Sequence, residues 1–182
     1  KVELSASICK TDLASDLVGE FPELQGIMGG YFSVNQGFDN DVSHAIAEQY
    51  LPIGLNSKVP KKSFSVALSL TDKIDTLVGF FGINEKPTSS KDPFALRRIT
   101  LGIIRIIIEN KKDLKLNDLF NYSSNLYFDQ GYNFTNKDLI KEIQSFSKDR
   151  FKYYLKEKQI RFDIIDASTS IFSLNKLFSS FE

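Results

Sequence analysis

The sequence predicts an all-α fold. Apolar side chains recur three and four residues apart along most of the 182 residues, which is the spacing of a single buried helix face. No long stretch alternates apolar and polar residues with period two, and the best strand candidate, residues 160–164, is short and charged. The composition is 42% hydrophobic and 25% charged, which is that of an ordinary folded domain with a buried core.

Short helices are expected in the N-terminal part of the chain, over residues 4–18 and 41–51. The dipeptides Phe21-Pro22 and Gly29-Gly30 interrupt the pattern between these two helices. Because glycine and proline are typical of turns, we expect both dipeptides to lie in connecting segments.

The longest amphipathic pattern predicts a central helix over residues 63–81. Its apolar positions form one broad face: Val66, Ala67, Leu70, Ile74, Leu77, Val78 and Phe81. Gly79 and Gly82 bracket the end of the pattern, and Gly82 is suited to the left-handed conformation of a helix C-cap.

Three more helices are expected after the central one. Asp92 as N-cap and Pro93 as first helical residue predict a helix from residue 92 to about 110. A shorter helix is expected over residues 116–126. The last helix is predicted to start near Thr135, because Thr135 and Asp138 resemble a capping box.

The segment 128–135 is the best candidate for a domain boundary, because it contains turn-forming residues such as Gly131 and Asn133. We therefore expect one helical domain over residues 1–128 and the beginning of a second helical region over residues 129–182.

The scarcest residue types exclude several classes of site. Cys9 and His44 are the only cysteine and the only histidine, so an intrachain disulfide and a Cys/His zinc site are excluded. We interpret Cys9 as an inert buried thiol and His44 as an ordinary helix histidine. No P-loop or Gly-x-Gly-x-x-Gly pattern occurs, and no apolar run is long enough to cross a membrane.

Asp72 and Asp75 form the first candidate site. They lie three residues apart on the predicted central helix, so their carboxylates share one face and can serve as paired ligands or as an acid and a base. A structural role explains the pair as well, and we favour it.

The segment 86–98 forms the second candidate site. It places Lys86 and Lys91 in a loop before a helix start, and Arg97 and Arg98 follow one turn later. Cations at the positive end of a helix dipole favour an anion such as phosphate. The alternative is that one arginine pairs internally with a carboxylate such as Asp72 or Asp75, and both interpretations can hold together.

Several blocks of sequence follow one another in a characteristic order and spacing. They are Lys10-Thr11-Asp12-Leu13, residues 18–29 (VGEFPELQGIMG), Gln49-Tyr50-Leu51-Pro52, residues 71–83 (TDKIDTLVGFFGI), residues 91–98 (KDPFALRR) and Leu101-Gly102. Together these blocks resemble the beta subunit of bacterial-type glycyl-tRNA synthetase. Residues 149–155 and 160–167 are more weakly similar to the start of that family's helical anticodon-binding region. The resemblance implies an internal to C-terminal piece of the subunit.

What the resemblance implies is part of a cytoplasmic ligase that joins glycine to its tRNA at the expense of ATP. The family's aminoacylation site lies on the alpha subunit, so this piece is expected to be non-catalytic and to bind no cofactor itself. Glycine tRNA and the alpha subunit are the implied partners, a second beta subunit is a further candidate, and no membrane contact is expected.

The resemblance also implies that residues 1–128 are related to the HD phosphohydrolase fold. An active HD site needs several histidines and aspartates around a metal ion, whereas Cys9-Lys10-Thr11-Asp12 stands near the place of a His-Asp pair. We therefore expect a degenerate HD-like bundle that holds no metal, with Asp72 as a structural relic of a metal ligand.

We hypothesise that the piece binds the tRNA backbone through Lys86, Lys91, Arg97 and Arg98, with the basic face of residues 137–161 as a second surface. The rival functions are an HD-type metal phosphohydrolase and a purely structural inter-subunit scaffold. A net formal charge of zero does not exclude RNA, because residues 1–50 hold two basic and eight acidic residues whereas the remainder holds 21 basic and 15 acidic ones.

Overall fold

The all-α prediction is confirmed by a computed structural model, which describes residues 1–161, 163 and 165. All regular secondary structure in these residues is helical. The strand candidate at residues 160–164 and the weak family likeness over residues 160–167 lie partly outside the described residues. None of the helices described is long and apolar enough to span a membrane.

The chain divides into two units, residues 1–72 and residues 73–182, and the division falls within one long helix. The first unit contains α1 (Val2–Ile8), α2 (Asp16–Glu20), α3 (Ile27–Asn35), α4 (Asn40–Glu48) and the first half of α5 (Ser63–Gly82), with short 3₁₀ helices at Thr11–Ala14 and Pro22–Leu24. Its core is a hydrophobic cluster of Cys9, Val42, Ala45, Ile46 and Leu68, against which Ile8, Phe38 and Phe64 pack.

The single helix predicted over residues 4–18 is wrong, because the chain breaks there into α1, a 3₁₀ helix and α2. Ser15 adopts an extended conformation at the break, and its hydroxyl accepts a hydrogen bond from Val18 N at 3.3 Å. Serine favours this N-cap position over a helix interior. The break leaves Asp12 buried, with 1% of its surface exposed.

The predicted connection at Gly29-Gly30 is also wrong, because both glycines lie inside α3. A Cβ at Gly30 would lie 2.8 Å from Ala47 Cβ and 3.0 Å from Ser43 O. The glycines therefore allow α3 and α4 to approach more closely than larger residues would permit. The actual turn between the two helices is at Gly37, whose φ is +81°.

The second unit contains the rest of α5, α6 (Leu96–Glu109), α7 (Leu116–Asp129) and α8 (Leu139–Glu157). Helix α8 packs on α6 and on α7. The largest side chains that are almost completely buried in this unit are Leu77, Leu96, Ile103, Ile104, Ile106, Ile107, Leu116, Phe120, Ile143, Phe151 and Leu155.

Gly82 does not cap α5, contrary to the prediction. The left-handed residue is Asn84, with φ of 63°. Asn84 N donates to Phe81 O at 3.1 Å and Glu85 N donates to Phe80 O at 2.9 Å, which is the Schellman pattern. Gly82 stays helical, and a Cβ on it would overlap the ring of Phe134.

Helix α6 ends as predicted but starts four residues later, at Leu96. Pro93 is therefore not its first residue. Asp92 still acts as a cap, since its carboxylate accepts hydrogen bonds from Leu96 N at 2.8 Å and from Arg97 N at 3.0 Å. Ala95 adopts the left-handed conformation, which displaces the start of the helix from Asp92.

The predicted capping box at the start of α8 is wrong as well. The Thr135 hydroxyl donates to Gly82 O at 3.3 Å, and α8 begins at Leu139 without a side-chain cap from Asp138. The domain boundary at residues 128 and 129 stays a prediction, as does the HD-like arrangement of the helices.

Candidate nucleic-acid interface

The basic loop, residues 86–98, connects α5 to the first turn of α6 and is held by its own hydrogen bonds. Thr88 N donates to Lys91 O at 2.9 Å, and Lys91 N donates to Thr88 Oγ1 at 3.1 Å. The carboxylate of Asp92 accepts hydrogen bonds from the first amides of α6, which fixes the C-terminal end of the loop to that helix. The loop therefore presents its cations on an ordered backbone.

Lys86 is engaged in an ion pair within the second unit. Its ammonium lies 2.9 and 2.8 Å from the two carboxylate oxygens of Glu142 on α8. Hydrogen bonds from Lys86 and then from Asn136 hold the pKa of Glu142 below its ordinary value. The charge of Lys86 is thus already matched by a carboxylate, which reduces its attraction for a phosphate.

Arg97 is engaged too, and with a partner that the sequence did not indicate. Its guanidinium lies 3.7 Å from Asp92 Oδ2, and it donates a hydrogen bond to Thr88 O. The expected internal pairing of an arginine therefore occurs, but with Asp92 of the same loop. Arg97 thus links Thr88 and Asp92, two residues of the same loop.

Lys91 and Arg98 differ from the other two cations. Both side chains are exposed, and neither forms an ion pair with another described residue. Of the four predicted contacts, these two have the charge and the accessibility that a phosphate oxygen requires. The four predicted residues thus share one loop but divide into two engaged and two exposed cations.

The second predicted surface lies along α8 and the residues at its two ends. The exposed basic residues there are Lys137, Lys141, Lys156, Lys158 and Arg161. Arg161 pairs with Asp163 at 2.7 Å. Of the four exposed lysines, Lys137 and Lys141 lie at the start of α8, whereas Lys156 and Lys158 lie at its end. Each end can therefore attract an anion independently of the other.

Asp72 and Asp75 have different partners. Asp72 forms an ion pair with Lys10, with 2.6 Å between Asp72 Oδ1 and Lys10 Nζ. Burial opposes the charge of Lys10, but the hydrogen bond and the charge of Asp72 outweigh it, so the pKa of Lys10 is raised. The backbone oxygen of Asp75 accepts a hydrogen bond from the Tyr127 hydroxyl at 3.3 Å. The structural role that we favour for Asp72 and Asp75 stays a prediction.

The buried carboxylate of Asp12 is the polar feature that sequence reasoning missed. Its Oδ2 accepts hydrogen bonds from Gly26 N at 2.6 Å and from Gly29 N at 3.1 Å, which joins the 3₁₀ helix at Thr11–Ala14 to the start of α3. The partners are 14 and 17 residues away, so no local pattern around Asp12 indicates them.

Cys9 and His44 show no catalytic arrangement. Cys9 is 6% exposed, its thiol donates to Ala6 O at 3.3 Å, and burial raises its pKa. His44 is partly exposed and lies 3.4 Å from Glu48 on the same helix. Within the described part of the chain, no group of three or more His, Cys, Asp or Glu side chains is placed to hold a metal ion.

The chain is similar to known proteins of one family. The family model described as "Glycyl-tRNA synthetase beta subunit" matches residues 1–170. The chain is 53% identical to the glycine–tRNA ligase beta subunit of Rickettsia canadensis over 153 residues, which are 84% of this chain and 22% of the relative. It is 47% identical to the beta subunit of Rhodospirillum centenum over 167 residues, which are 92% of this chain and 23% of the relative.

The chain therefore spans less than a quarter of the length of these curated relatives. The family model nevertheless covers nearly all of this chain, since only the last 12 residues lie outside the match. The chain belongs to the glycyl-tRNA synthetase beta subunit family.

Proposed function

We propose that this chain is a non-catalytic, tRNA-binding part of a glycine–tRNA ligase, and that Lys91 and Arg98 contact tRNA phosphates. The observation that carries the proposal is the pair of exposed cations on the ordered basic loop beside the start of α6. The family membership supports glycine tRNA as the ligand, since the relatives are named as glycine–tRNA ligase subunits.

Phosphate contacts of this kind position an RNA without reading its sequence. The loop suits that task, because its backbone is fixed by internal hydrogen bonds and little ordering is needed on binding. The identity of glycine tRNA is then read elsewhere in the enzyme.

The remaining parts of the function follow from membership in a two-subunit ligase. ATP is used by the whole enzyme and not by this part, the alpha subunit is a partner, and a second beta subunit is a further one. The cytoplasm is the proposed location. The comparisons do not favour the rival functions, an HD-type phosphohydrolase or a scaffold that touches no RNA.

Titration of the chain with glycine tRNA at several salt concentrations tests the proposal. Replacing Lys91→Gln together with Arg98→Gln removes two phosphate contacts, which is expected to lower the slope of log affinity against log salt by about 1.4–1.8. The matched control is Lys86→Gln together with Arg97→Gln, which removes the same formal charge from engaged cations and is expected to change the slope by less than half as much.

Two results would contradict the proposal in different ways. If the control pair lowers the slope as much as Lys91→Gln with Arg98→Gln, the assignment of the contacts is wrong. If the unmodified chain binds the alpha subunit but shows no salt-dependent binding of tRNA, the scaffold function is correct instead.

A further inference from the structure

Two clefts of the second unit share one lining residue, Phe134. The larger, which we call the aromatic cleft, has a volume of about 370 Å³ and is lined by α5 and by Tyr127, Tyr132 and Phe134. The smaller, which we call the α8 cleft, has a volume of about 290 Å³ and is lined by Ser124, Phe134 and the first turn of α8. The two clefts are therefore neighbours that meet at Phe134.

The rings of the aromatic cleft are held in place by contacts with α5 and with one another. A Cβ at Gly79 would lie 2.7 Å from the Tyr127 hydroxyl, and one at Gly82 would overlap the Phe134 ring. Tyr127 meets Phe134 with 5.0 Å between ring centroids and meets Tyr132 edge-on at 5.9 Å. Aromatic pairs of this geometry stabilise each other, so the cleft is formed before any ligand enters.

The aromatic cleft offers what a nucleobase needs. Tyr132 is 59% exposed, so a ring face is accessible for stacking. Asn133 and Asp75, both exposed, add an amide and a carboxylate to its lining. The Tyr127 hydroxyl donates to Asp75 O at 3.3 Å, so Tyr127 contributes its ring to the cleft and not a hydrogen-bond donor.

The α8 cleft offers what a phosphate needs. The amides of Leu139, Ile140 and Lys141 donate to no other described residue, and Asp138 supplies no side-chain cap. Lys137 and Lys141 are exposed and line the same cleft. Uncapped amides at a helix N-terminus together with ammonium groups attract an anion.

Ser124 gives a second and independent indication of a ligand in the α8 cleft. It is 7% exposed, it lines the cleft, and its hydroxyl makes no hydrogen bond with another described residue. Its oxygen is not among the fully enclosed polar atoms of the described residues that lack a partner, so the hydroxyl of this otherwise buried residue is accessible. A phosphate oxygen in the α8 cleft would accept a hydrogen bond from this hydroxyl.

We propose that the two clefts together bind one unpaired nucleotide of an RNA strand, with its base in the aromatic cleft and a neighbouring phosphate in the α8 cleft. Unpaired nucleotides are the parts of an RNA whose bases are accessible to stacking. An apolar peptide would leave Lys137, Lys141 and Ser124 without a role, and inorganic phosphate would leave the rings without one. The proposal rests on the RNA-binding function but assigns residues outside the basic loop.

Binding of a short single-stranded RNA oligonucleotide to the chain tests the aromatic cleft. Tyr132→Leu removes the stacking face and is expected to weaken binding roughly 5- to 100-fold, the range measured for one base on one aromatic ring. Tyr132→Phe keeps the ring and is expected to bind within about twofold of the unmodified chain. Tyr122→Leu is the matched control, because Tyr122 is a 64% exposed tyrosine of α7 that lines neither cleft.

The salt dependence of the same binding tests the α8 cleft. Lys137→Gln with Lys141→Gln is expected to lower the log–log slope by up to about 1.4. The control is Lys111→Asn with Lys115→Gln, which removes two exposed lysines that line neither cleft. Asn is chosen at residue 111 because the backbone there is left-handed, with φ of 51°.

Each remaining outcome decides between this inference and the function on which it rests. If tRNA binding depends on Lys91 and Arg98 but oligonucleotide binding ignores Tyr132→Leu, the nucleotide site is wrong and the proposed function stands. An abasic oligonucleotide that binds as tightly as the complete one would also overturn the site. If neither tRNA nor the oligonucleotide binds, both proposals are wrong.

Discussion

Helix glycines of the two units have different neighbours. In the first unit, Gly30 lies against the backbone of α4, with Ser43 O 3.0 Å from where a Cβ would be. In the second unit, Gly79 and Gly82 lie against the rings of Tyr127 and Phe134. The backbone of a packed helix can move only if the whole helix shifts, whereas a half-buried ring can yield by rotating about its side-chain bonds, at the cost of some of its ring contacts. The same residue type thus fixes helix packing in one unit and shapes a cleft in the other.

This difference predicts that the first unit tolerates changes around its glycines less well than the second. The Asp12 carboxylate belongs to the same rigid region, since it bonds Gly26 N and Gly29 N. Substitutions at Asp12, Gly30 and Gly82 and the alkaline titration of Tyr127 test this difference between the units.

The largest effect is expected from Asp12→Ala. The substitution leaves two buried amides without an acceptor, and each such group costs about 1–3 kcal/mol, so a loss of roughly 2–6 kcal/mol in the free energy of unfolding is expected. Urea denaturation followed by circular dichroism measures it. Asp16→Ala, at an exposed aspartate nearby, is the control. Equal losses of unfolding free energy for the two variants would show that the hydrogen bonds from Gly26 N and Gly29 N to Asp12 do not stabilise the fold.

Gly30→Ala is expected to cost about 1–3 kcal/mol, because overpacking forces two helix backbones apart. Gly19→Ala is the matched control: Gly19 is also helical, but nothing lies within 4 Å of its added Cβ. Removing a helix glycine without a clash is expected to stabilise by about 0.5–1 kcal/mol. Changes of the same sign for both variants would contradict the close approach of α3 and α4.

Gly82→Ala is expected to cost less, about 1 kcal/mol, because the Phe134 ring can rotate away. A double-mutant cycle with Phe134→Ala isolates the clash, and in the Phe134→Ala background the cost is expected to disappear. A full cost that persists without the ring would show that α5 itself, rather than its aromatic neighbour, requires glycine at this position.

The smallest effect is the pH dependence contributed by Tyr127. Its pKa is raised from an ordinary value of 10.0 to about 12, chiefly by burial, so the folded state holds this proton more tightly than the unfolded state. The resulting stability is fully present below pH 10 and is lost as the pH rises through 12. Denaturation at a series of alkaline pH values is expected to show a shallower loss for Tyr127→Phe. Identical profiles would exclude the shift.

Local patterns in the sequence were sufficient for the longer helices, but not for the N-terminal part, where one helix was predicted across the break at Ser15 and α3 was not predicted. The apolar spacing over residues 63–81 located α5 almost to the residue, because one buried face must repeat with the period of the helix. The Asp92 cap was also recognisable, although Ala95 delays the helix that it caps. The family was evident from blocks of sequence, and the comparisons confirm it.

The candidate site was predictable only in part. The sequence located the basic loop, but it could not separate Lys91 and Arg98 from Lys86 and Arg97, because Glu142 lies 56 residues from its partner Lys86. Nor could it show that Tyr132 and Lys141 line neighbouring clefts that share Phe134.

The amino-acid pattern was therefore enough to predict the all-α fold, the longer helices, the family resemblance and the segment of clustered cations. Only the packed structure shows which cations stay exposed, which aspartate is buried and which neighbour lies against each helix glycine. The difference between the two comes from how far apart in the sequence the interacting residues lie. Helix periodicity and capping depend on residues within a few positions, whereas burial and charge pairing depend on residues that meet only when distant segments pack together.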